Sequence, residues 1–254
     1  MLYYLFDHTF EGLLTAVFDA FSRKENPVRL LTNHSDVPLF TETYRVQTDE
    51  ERSQRVLSTL KKKVSGSALQ MLLISFLAES EDVYKHLFNY VAKAVVSKKS
   101  IELNFGDEDV MELSKTFKKV QNEYTRMKQF VRFQKTQDGM FFAAIEPRYD
   151  VLPLCSDFFR DRYADQQWVL YDMKRNYGIF YDLEQTQIVK FDELPVSLQT
   201  GQLQEDRLDE YEIAFRKLWK DYLKAVTIQE RRNLKLQKQH MPVRFWKYLI
   251  EKQR

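Results

Sequence analysis

Carboxylates that could act as acids, bases or metal ligands lie in the middle of the chain. Glu146 and Asp172 each stand at the end of a predicted strand, and Glu123 lies on the predicted helix before the first of these strands. Acidic side chains grouped at one edge of a sheet can hold a metal ion or transfer protons. A pocket built from these three residues would suit a glycosylase-like or hydrolytic enzyme. Turn capping, or ion pairing with Arg162 and Arg175, would account for the same residues, so both interpretations stay open.

The other residues with recognisable chemistry are cations and aromatic side chains, and they suit nucleic acid. Residues 213–254 contain twelve Lys or Arg and three Asp or Glu, a charge of +9, while the net charge of the chain is +2, which leaves −7 for residues 1–212. Cations bind phosphates, and aromatic faces stack on unpaired bases. A solvated helical face and ordinary core aromatics would give the same pattern. The candidate nucleic-acid-binding residues are Arg126, Arg132, Arg162, Trp168, Arg175, Arg231, Arg232, Lys235, Lys238, Arg244 and Lys247.

Several classes of enzyme are excluded by motifs that the sequence lacks. The six glycines form neither a Walker loop nor a dinucleotide-binding turn, and there is no Gly-x-Ser-x-Gly elbow. The histidines at positions 8, 34, 86 and 240 have no metal-site spacing. The single cysteine, Cys155, allows neither an internal disulfide nor a cysteine-ligated zinc or iron–sulfur site within the chain. We therefore predict no metal and no cofactor.

Composition bears on the class of protein and on its location. The 254 residues are 44% hydrophobic with only six Gly and six Pro, which is typical of an ordered globular protein. No apolar run is long enough to cross a bilayer, and the first residues lack the basic region of a signal peptide. We expect a cytoplasmic protein without a membrane segment.

Two predicted hairpins and a short helix must position the central candidates. The first hairpin covers residues 130–145 and turns at Asp138-Gly139, a strong hairpin signal between β-prone runs. The second hairpin covers residues 167–183. Ser156 is a candidate N-cap for the helix predicted between them, at residues 156–164.

Helical periodicity and capping signals predict most of the remaining elements. The apolar residues that follow Thr9 recur with the spacing of a core-facing helix, and Thr48 and Thr227 each open a capping box with Glu three positions later. The box at Thr227 would start a basic helix. The other predicted helices cover 67–79, 81–95, 107–130, 203–225 and 243–250, and further strands are predicted at 2–6, 28–31, 44–46 and 187–191.

These elements predict an α+β protein. We expect a mainly antiparallel sheet, formed by the central hairpins and covered by many helices, together with a small N-terminal α/β part. The expected division places an N-terminal α/β and helical part at residues 1–80 and an α+β domain with basic C-terminal helices at residues 81–254.

The longest recognisable motif of the chain is Glu123-x-x-Arg126-Met127-x-x-Phe130-Val131-Arg132-Phe133. Together with several shorter motifs, it resembles a bacterial family of uncharacterised proteins whose main domain is the domain of unknown function DUF4130. His8 lies in a stretch that resembles the family's opening, Phe6-Asp7-x-Thr9-Phe10-Glu11-Gly12, and stands where that pattern leads us to expect glycine. The other motifs are Asp150-Val-Leu-Pro-Leu154, Phe159-x-x-Arg162, Gln167-Trp168-x-x-Tyr171-Asp172, Arg175, Leu218-Trp219, Glu230-Arg231-x-Asn233 and Met241-Pro242-x-x-Phe245-Trp246.

The resemblance implies a role in DNA metabolism. Members of the family are described as DNA repair or DNA metabolism proteins. They are typically encoded next to a radical-SAM protein of DNA repair or modification, and some are fused to a uracil-DNA glycosylase-like domain. The implied partners are DNA and the radical-SAM protein. The family offers no catalytic residue that can be carried over, so whether the chain is an enzyme stays open.

The leading hypothesis is an accessory protein of DNA repair that binds damaged or single-stranded DNA and acts with a radical-SAM partner. The cations of residues 231–247 would hold phosphates, the candidate arginines of residues 126–175 would line the site, and Trp168 would stack on a base. One alternative is the DNA-processing enzyme that uses the central carboxylates. The other is a protein-interaction scaffold without nucleic-acid contact.

Overall fold

The computed structural model describes residues 1–33, 35–193, 196–197 and 201–252, so His34 lies outside the described residues. The chain divides into two compact units, residues 1–122 and 123–254. Each unit combines helices with a sheet, which confirms the α+β class. The predicted division at residue 80 stays a prediction. Within the described residues, no helix combines the length and the apolar character needed to span a bilayer.

The first unit is built around three parallel strands. Strand β1 (Leu2–Phe6) is central and lies between β2 (Arg29–Thr32) and β3 (Glu42–Arg45). Parallel neighbours need a crossover connection, and helix α1 (Phe10–Arg23) supplies the one between β1 and β2. Thr9 caps α1, because its hydroxyl accepts a hydrogen bond from the Gly12 amide (2.9 Å), as predicted from its spacing.

Helices complete the first unit and share one apolar core with β1. Phe6 of β1 and Leu13 of α1 are fully buried in this core, together with leucines from the later helices. The boundary between the two units falls within the last of these helices. They are α2 (Glu50–Lys63), α3 (Gly66–Phe76), α4 (Glu81–Val96) and α5 (Glu108–Phe130).

The capping box predicted at Thr48 is wrong. The N-cap of α2 is Asp49, whose carboxylate accepts a hydrogen bond from the Arg52 amide (2.9 Å). Thr48 instead donates its hydroxyl hydrogen bond to the Asp7 carboxylate (2.8 Å). The Thr48 hydroxyl, which the local pattern assigned to the helix cap, thus bonds to a carboxylate that is distant in the sequence.

The second unit contains a five-stranded sheet, and its strand order follows the chain. The second predicted hairpin is confirmed, because β6 pairs antiparallel with β7. The first is confirmed only in part, because β4 pairs antiparallel with β5 but begins at Gln134, while Phe130 still belongs to α5. The last strand adds a further antiparallel pair to the second hairpin. The strands are β4 (Gln134–Lys135), β5 (Phe141–Ile145), β6 (Trp168–Asp172), β7 (Tyr177–Tyr181) and β8 (Thr186–Val189).

A parallel pair joins the two hairpins. Strands β5 and β6 run in the same direction, with Ile145 opposite Asp172, and helix α6 (Leu152–Arg162) forms the crossover between them. The expectation of a mainly antiparallel sheet therefore holds only in part, since this sheet is mixed and that of the first unit is parallel. For the candidate site the parallel pair matters because the carboxyl ends of β5 and β6 meet at one edge.

Ser156 does not cap α6, and that prediction is wrong. The helix begins at Leu152, and Pro153 occupies its first turn, where a residue without an amide hydrogen is well tolerated. Ser156 lies inside the helix, and its hydroxyl is hydrogen-bonded to that of Thr186 on β8 (3.2 Å).

The chain after β8 is less helical than predicted. Helix α7 covers Glu212–Val226 rather than starting near residue 203. Leu203 and Leu208 are buried with Phe142 and Val169 in the apolar core on one face of the sheet. Leu203 and Leu208 are five positions apart, whereas side chains on one face of a helix are three or four positions apart. The two leucines therefore pack on the sheet as part of a segment that precedes α7 and do not extend this helix.

The capping box predicted at Thr227 is also wrong. Its hydroxyl donates back to the Leu223 carbonyl, and the next helix, α8 (Leu234–His240), has Asn233 as its N-cap. The Asn233 side chain caps it by accepting a hydrogen bond from the Leu236 amide (3.0 Å). Short 3-10 helices cover Glu205–Arg207, Gln229–Arg231, Val243–Tyr248 and Ile250–Lys252.

Candidate nucleic-acid interface

The three candidate carboxylates lie in the second unit, and each is engaged by a cation. Asp172, at the carboxyl end of β6, is fully buried and pairs with Arg175 (Oδ2 to Nη1, 2.8 Å). Its Oδ1 accepts hydrogen bonds from the amides of Lys174 (2.9 Å) and Arg175 (3.2 Å), so it also caps the turn. Burial raises the pKa of the Asp172 carboxyl, and the ion pair and the hydrogen bonds only partly offset this effect.

Glu123 is almost completely buried on α5. Its Oε1 accepts hydrogen bonds from Arg244 Nη1 (2.7 Å) and from the Arg148 amide (2.8 Å). Its Oε2 contacts Arg244 as well and lies 3.8 Å from Arg126 Nη1. The carboxylate is thus enclosed by two guanidinium groups and one backbone amide.

Glu146 directly follows β5 and pairs with the ammonium group of Lys247. It also accepts a hydrogen bond from the Tyr248 hydroxyl (2.9 Å). The hydrogen bond from Lys247 holds the pKa of the Glu146 carboxyl below its ordinary value. A cavity beside Glu146 measures about 10 Å³, which is the space of a single water at most.

These contacts tie the ends of β5 and β6 together. Arg175 also donates hydrogen bonds to the carbonyl oxygens of Pro147 (3.2 Å) and Arg148 (3.3 Å), on the segment that follows β5. In the part of the chain that the structure describes, no group of three or more His, Cys, Asp or Glu side chains could hold a metal ion. General acid–base chemistry needs a group within reach of a substrate, so this arrangement gives the enzyme hypothesis no support.

The candidate cations fall into two sets, and in the first set a carboxylate of the same unit compensates the charge. Arg132 pairs with Glu251 (2.9 Å). Arg126, Arg175, Arg244 and Lys247 pair with the central carboxylates as described above. A cation held in this way has little uncompensated charge to offer a phosphate.

The second set is exposed and has no ion pair within the described ranges. Arg162 belongs to it and lies over the ring of Tyr163 (5.6 Å to the centroid). The other four form what we call the basic segment, residues 231–238. Two of them precede α8, and the two on α8 are three positions apart, which places them on the same side of the helix. The members of the basic segment are Arg231, Arg232, Lys235 and Lys238.

Trp168 is fully buried at the start of β6, in the interior of the sheet. Its ring packs against those of Tyr181 (5.6 Å between centroids), Phe133 (6.0 Å) and Phe159 (6.2 Å). The proposed stacking of a base on this ring is therefore corrected, because other rings of the protein already cover it. Trp168 nevertheless forms part of the wall of a pocket.

This pocket, which we call the aromatic pocket, has a volume of about 920 Å³ and is lined by residues of the second unit only. Helix α7 provides one wall. Trp219 and Tyr222 of α7 stack on each other (5.8 Å between centroids, 26° between planes) and are 39% and 56% exposed. The seven aromatic residues in the lining are Phe133, Phe141, Tyr163, Trp168, Phe215, Trp219 and Tyr222.

Polar side chains interrupt the aromatic lining. Arg132 and Arg216 contribute guanidinium groups to it. Arg216 donates hydrogen bonds to the Gln134 side chain (2.6 Å) and to Glu212 (3.3 Å), and Arg132 is held by Glu251. These contacts fix the polar side chains of the wall in place.

The sequence predicted the stripe of α7 but not its exposure. Helical spacing predicts an amphipathic helix over residues 203–225, and three residues of its apolar stripe, Phe215, Leu218 and Tyr222, are 66%, 63% and 56% exposed. Trp219 and Arg216 were not singled out for the site. Periodicity reports that a helix has an apolar face and says nothing about what covers that face. Only the tertiary packing, which brings Trp219 and Arg216 beside Phe133 and Phe141, makes them part of the site.

Comparison with known proteins gives one result. A search of the curated proteins and a search of the solved structures find no match. The sequence model of a family described as "Domain of unknown function (DUF4130)" matches residues 81–251, which is about two thirds of the chain. The chain therefore belongs to the DUF4130 family.

Proposed function

We propose that this protein binds damaged or single-stranded DNA as an accessory protein of DNA repair. The observation that carries the proposal is the basic segment, whose four cations are exposed and have no ion pair within the described residues. A phosphate backbone binds where cations can replace its counterions. The paired cations elsewhere in the second unit are less suited to this, because internal carboxylates already compensate them.

The aromatic pocket in the same unit supports a single strand over a duplex. In a duplex the faces of the bases are stacked on one another, whereas a single strand presents them to aromatic side chains. The exposed pair Trp219 and Tyr222 offers such a surface.

We also propose a radical-SAM partner, and this part rests on the family resemblance. Iron–sulfur clusters are held by several cysteine thiolates, and the chain has one cysteine. That residue, Cys155, is fully buried, and burial raises the pKa of its thiol far above the ordinary value. The cluster of a radical-SAM reaction would therefore belong to the partner.

The first test is a fluorescence-anisotropy titration with labelled single-stranded, duplex and uracil-containing DNA at two salt concentrations. Binding should weaken steeply with salt, and single-stranded DNA should bind more tightly than duplex. The triple variant Arg231→Glu, Arg232→Glu, Lys235→Glu should lose binding, because like charges then face the phosphates.

The matched control is the triple variant Lys61→Glu, Lys62→Glu, Lys98→Glu, which makes the same charge change on exposed lysines of the first unit. It should bind almost as the unchanged protein does. Wild-type affinity in a folded variant of the basic segment would contradict the assignment. An absence of binding at low salt would favour the scaffold hypothesis, which a pull-down with the radical-SAM protein would then test.

A further inference from the structure

We infer that the aromatic pocket holds one unpaired base of the bound strand. The inference rests on the proposed function and names the chemical group that the pocket takes. It assigns the wall of α7, and Trp219 in particular, to the recognition of a planar ring.

The size and the surface of the pocket fit such a group. A volume of about 920 Å³ lies within the range of small-molecule sites and exceeds what one base needs, so the sugar could enter with it. The wall on α7 leaves Phe215, Leu218 and Tyr222 more than half exposed, and Trp219 is 39% exposed. Soluble proteins leave adjacent large apolar side chains open mostly where a ligand or a partner covers them.

Two unpartnered donors in the wall indicate the polar character of the ligand. The indole Nε1 of Trp168 and the Nε of Arg132 are buried, and neither has a hydrogen-bond partner in the described structure. Both residues line the pocket. Because both groups are donors, a ligand that reaches them when the lining side chains shift would carry acceptors. Bases present ring nitrogens and carbonyl oxygens at the edge of a flat ring, whereas a hydrocarbon chain would cover the aromatic wall without offering an acceptor.

Hydrogen bonds connect the polar side chains of the wall to one another. Glu251 accepts hydrogen bonds both from Arg132 Nη2 (2.9 Å) and from the Trp219 indole (3.3 Å). One carboxylate thus links a guanidinium group to the exposed indole. Arg216, also on α7, is held by Gln134 and Glu212. Guanidinium groups and aromatic rings that are fixed side by side bind a base by stacking and by cation–π contact.

The test uses variants of Trp219 with single-stranded oligonucleotides, alongside an abasic strand of the same length that keeps the phosphates. The unchanged protein should prefer the base-bearing strand. Trp219→Ala should weaken binding of that strand by about 5- to 150-fold, the range for loss of one stacked base. Affinity for the abasic strand should stay the same. The control is Val226→Ala, an exposed apolar residue of the same helix outside the pocket lining, which should change neither affinity.

Tryptophan fluorescence provides an independent readout. A stacked base should quench the emission of the protein, and Trp219→Phe should remove most of the quenching while it keeps most of the affinity, because a phenyl ring still stacks. Loss of affinity in Trp219→Ala through unfolding would also reduce binding of the abasic strand, so the two strands separate stacking from folding.

The outcomes separate this inference from the proposed function. Equal, salt-sensitive binding of base-bearing and abasic strands would overturn the inference and leave the proposed function standing. No binding of either strand at low salt would overturn both. A preference for the base-bearing strand that survives in Trp219→Ala would also overturn the inference, since the base would then be recognised elsewhere.

Discussion

Charged residues of the second unit include both buried ion pairs and exposed cations. Asp172 and Arg175 compensate each other inside the protein, whereas Arg231 and its neighbours in the basic segment have no ion pair within the described residues. Removal of one member of a buried pair leaves an uncompensated charge, which costs far more than the pair itself contributes. Substitution of the buried residues should therefore change stability, and substitution of the exposed residues should change binding.

Arg175→Met should lower the free energy of unfolding by about 3–5 kcal/mol, because the carboxylate of Asp172 then stays buried without its partner. The double variant Asp172→Asn, Arg175→Met should recover a large part of this loss, since no charge remains. Urea unfolding followed by circular dichroism would measure both. A double variant as unstable as Arg175→Met would show that the hydrogen bonds of Arg175 to Pro147 and Arg148 matter more than the charge.

Glu146 should make stability depend on pH in the acid range. The pKa of its carboxyl is lowered in the folded protein, mainly by the hydrogen bond from Lys247. The folded state therefore binds this proton less readily than the unfolded state, so the contribution is present above the ordinary pKa of about 4.5 and is lost as the pH falls. Glu146→Gln should lower the unfolding temperature slightly at pH 7, by an amount equivalent to less than about 1 kcal/mol for a partly exposed pair. The difference from the unchanged protein should vanish near pH 3 in a calorimetric series.

The backbone geometry at His8 explains why the family pattern leads us to expect glycine at this position. Its φ is +64°, a region that favours glycine, which is the residue that the family pattern led us to expect there. The imidazole is retained by a hydrogen bond to Tyr84. His8→Gly and His8→Ala both remove that bond, but only glycine relieves the backbone. We expect His8→Gly to be more stable than His8→Ala by about 1 kcal/mol, measured by urea unfolding. Equal stabilities would show that the backbone changes conformation in the variants.

At the scale of elements, short sequence patterns predicted the turns and hairpins that depend on neighbouring residues. The turn at Asp138-Gly139 and the second hairpin follow from side-chain alternation and turn chemistry, and both are present. The parallel pairing of β5 with β6 depends on how α6 crosses between distant segments, which no window of sequence contains. The cap at Thr48 fails for a related reason, because its hydroxyl bonds to Asp7, 41 positions away. The cap at Thr227 fails locally, because its hydroxyl donates to the Leu223 carbonyl of the preceding helix.

Helix α7 shows that a local pattern also fails to predict burial at the candidate site. Glu212 is the only buried residue of this helix among those described. An element with so little buried surface opens easily. We expect the amides of α7 to exchange with deuterium faster than those of β6, whose five residues are all buried. Addition of single-stranded DNA should slow exchange in α7 and leave β6 unchanged. Slow exchange in the free protein would mean that α7 is already covered, for instance by a second copy of the chain.

At the scale of the whole molecule, the distribution of charge matters more than its total. A net charge of +2 predicts little affinity for DNA, but residues 213–254 carry +9 and the remainder carries −7. The acidic remainder repels phosphates, so the protein should bind a strand through the basic segment and not over its entire surface. The number of phosphates neutralised should then be close to the number of exposed cations in that segment, which is four: Arg231, Arg232, Lys235 and Lys238.

This number sets the salt dependence of binding. For single strands the logarithm of the affinity falls with the logarithm of the salt concentration by about 0.7 per phosphate neutralised, so four contacts predict a slope of about −3. Neutralisation of all four cations to Gln should bring the slope close to zero. Neutralisation of Lys235 and Lys238 alone should roughly halve it, while Lys61→Gln, Lys62→Gln should leave it unchanged. A slope much steeper than −3 would mean that paired cations such as Arg244 and Lys247 exchange their internal carboxylates for phosphate. The ion pairs with Glu123 and Glu146 would then open when the strand binds.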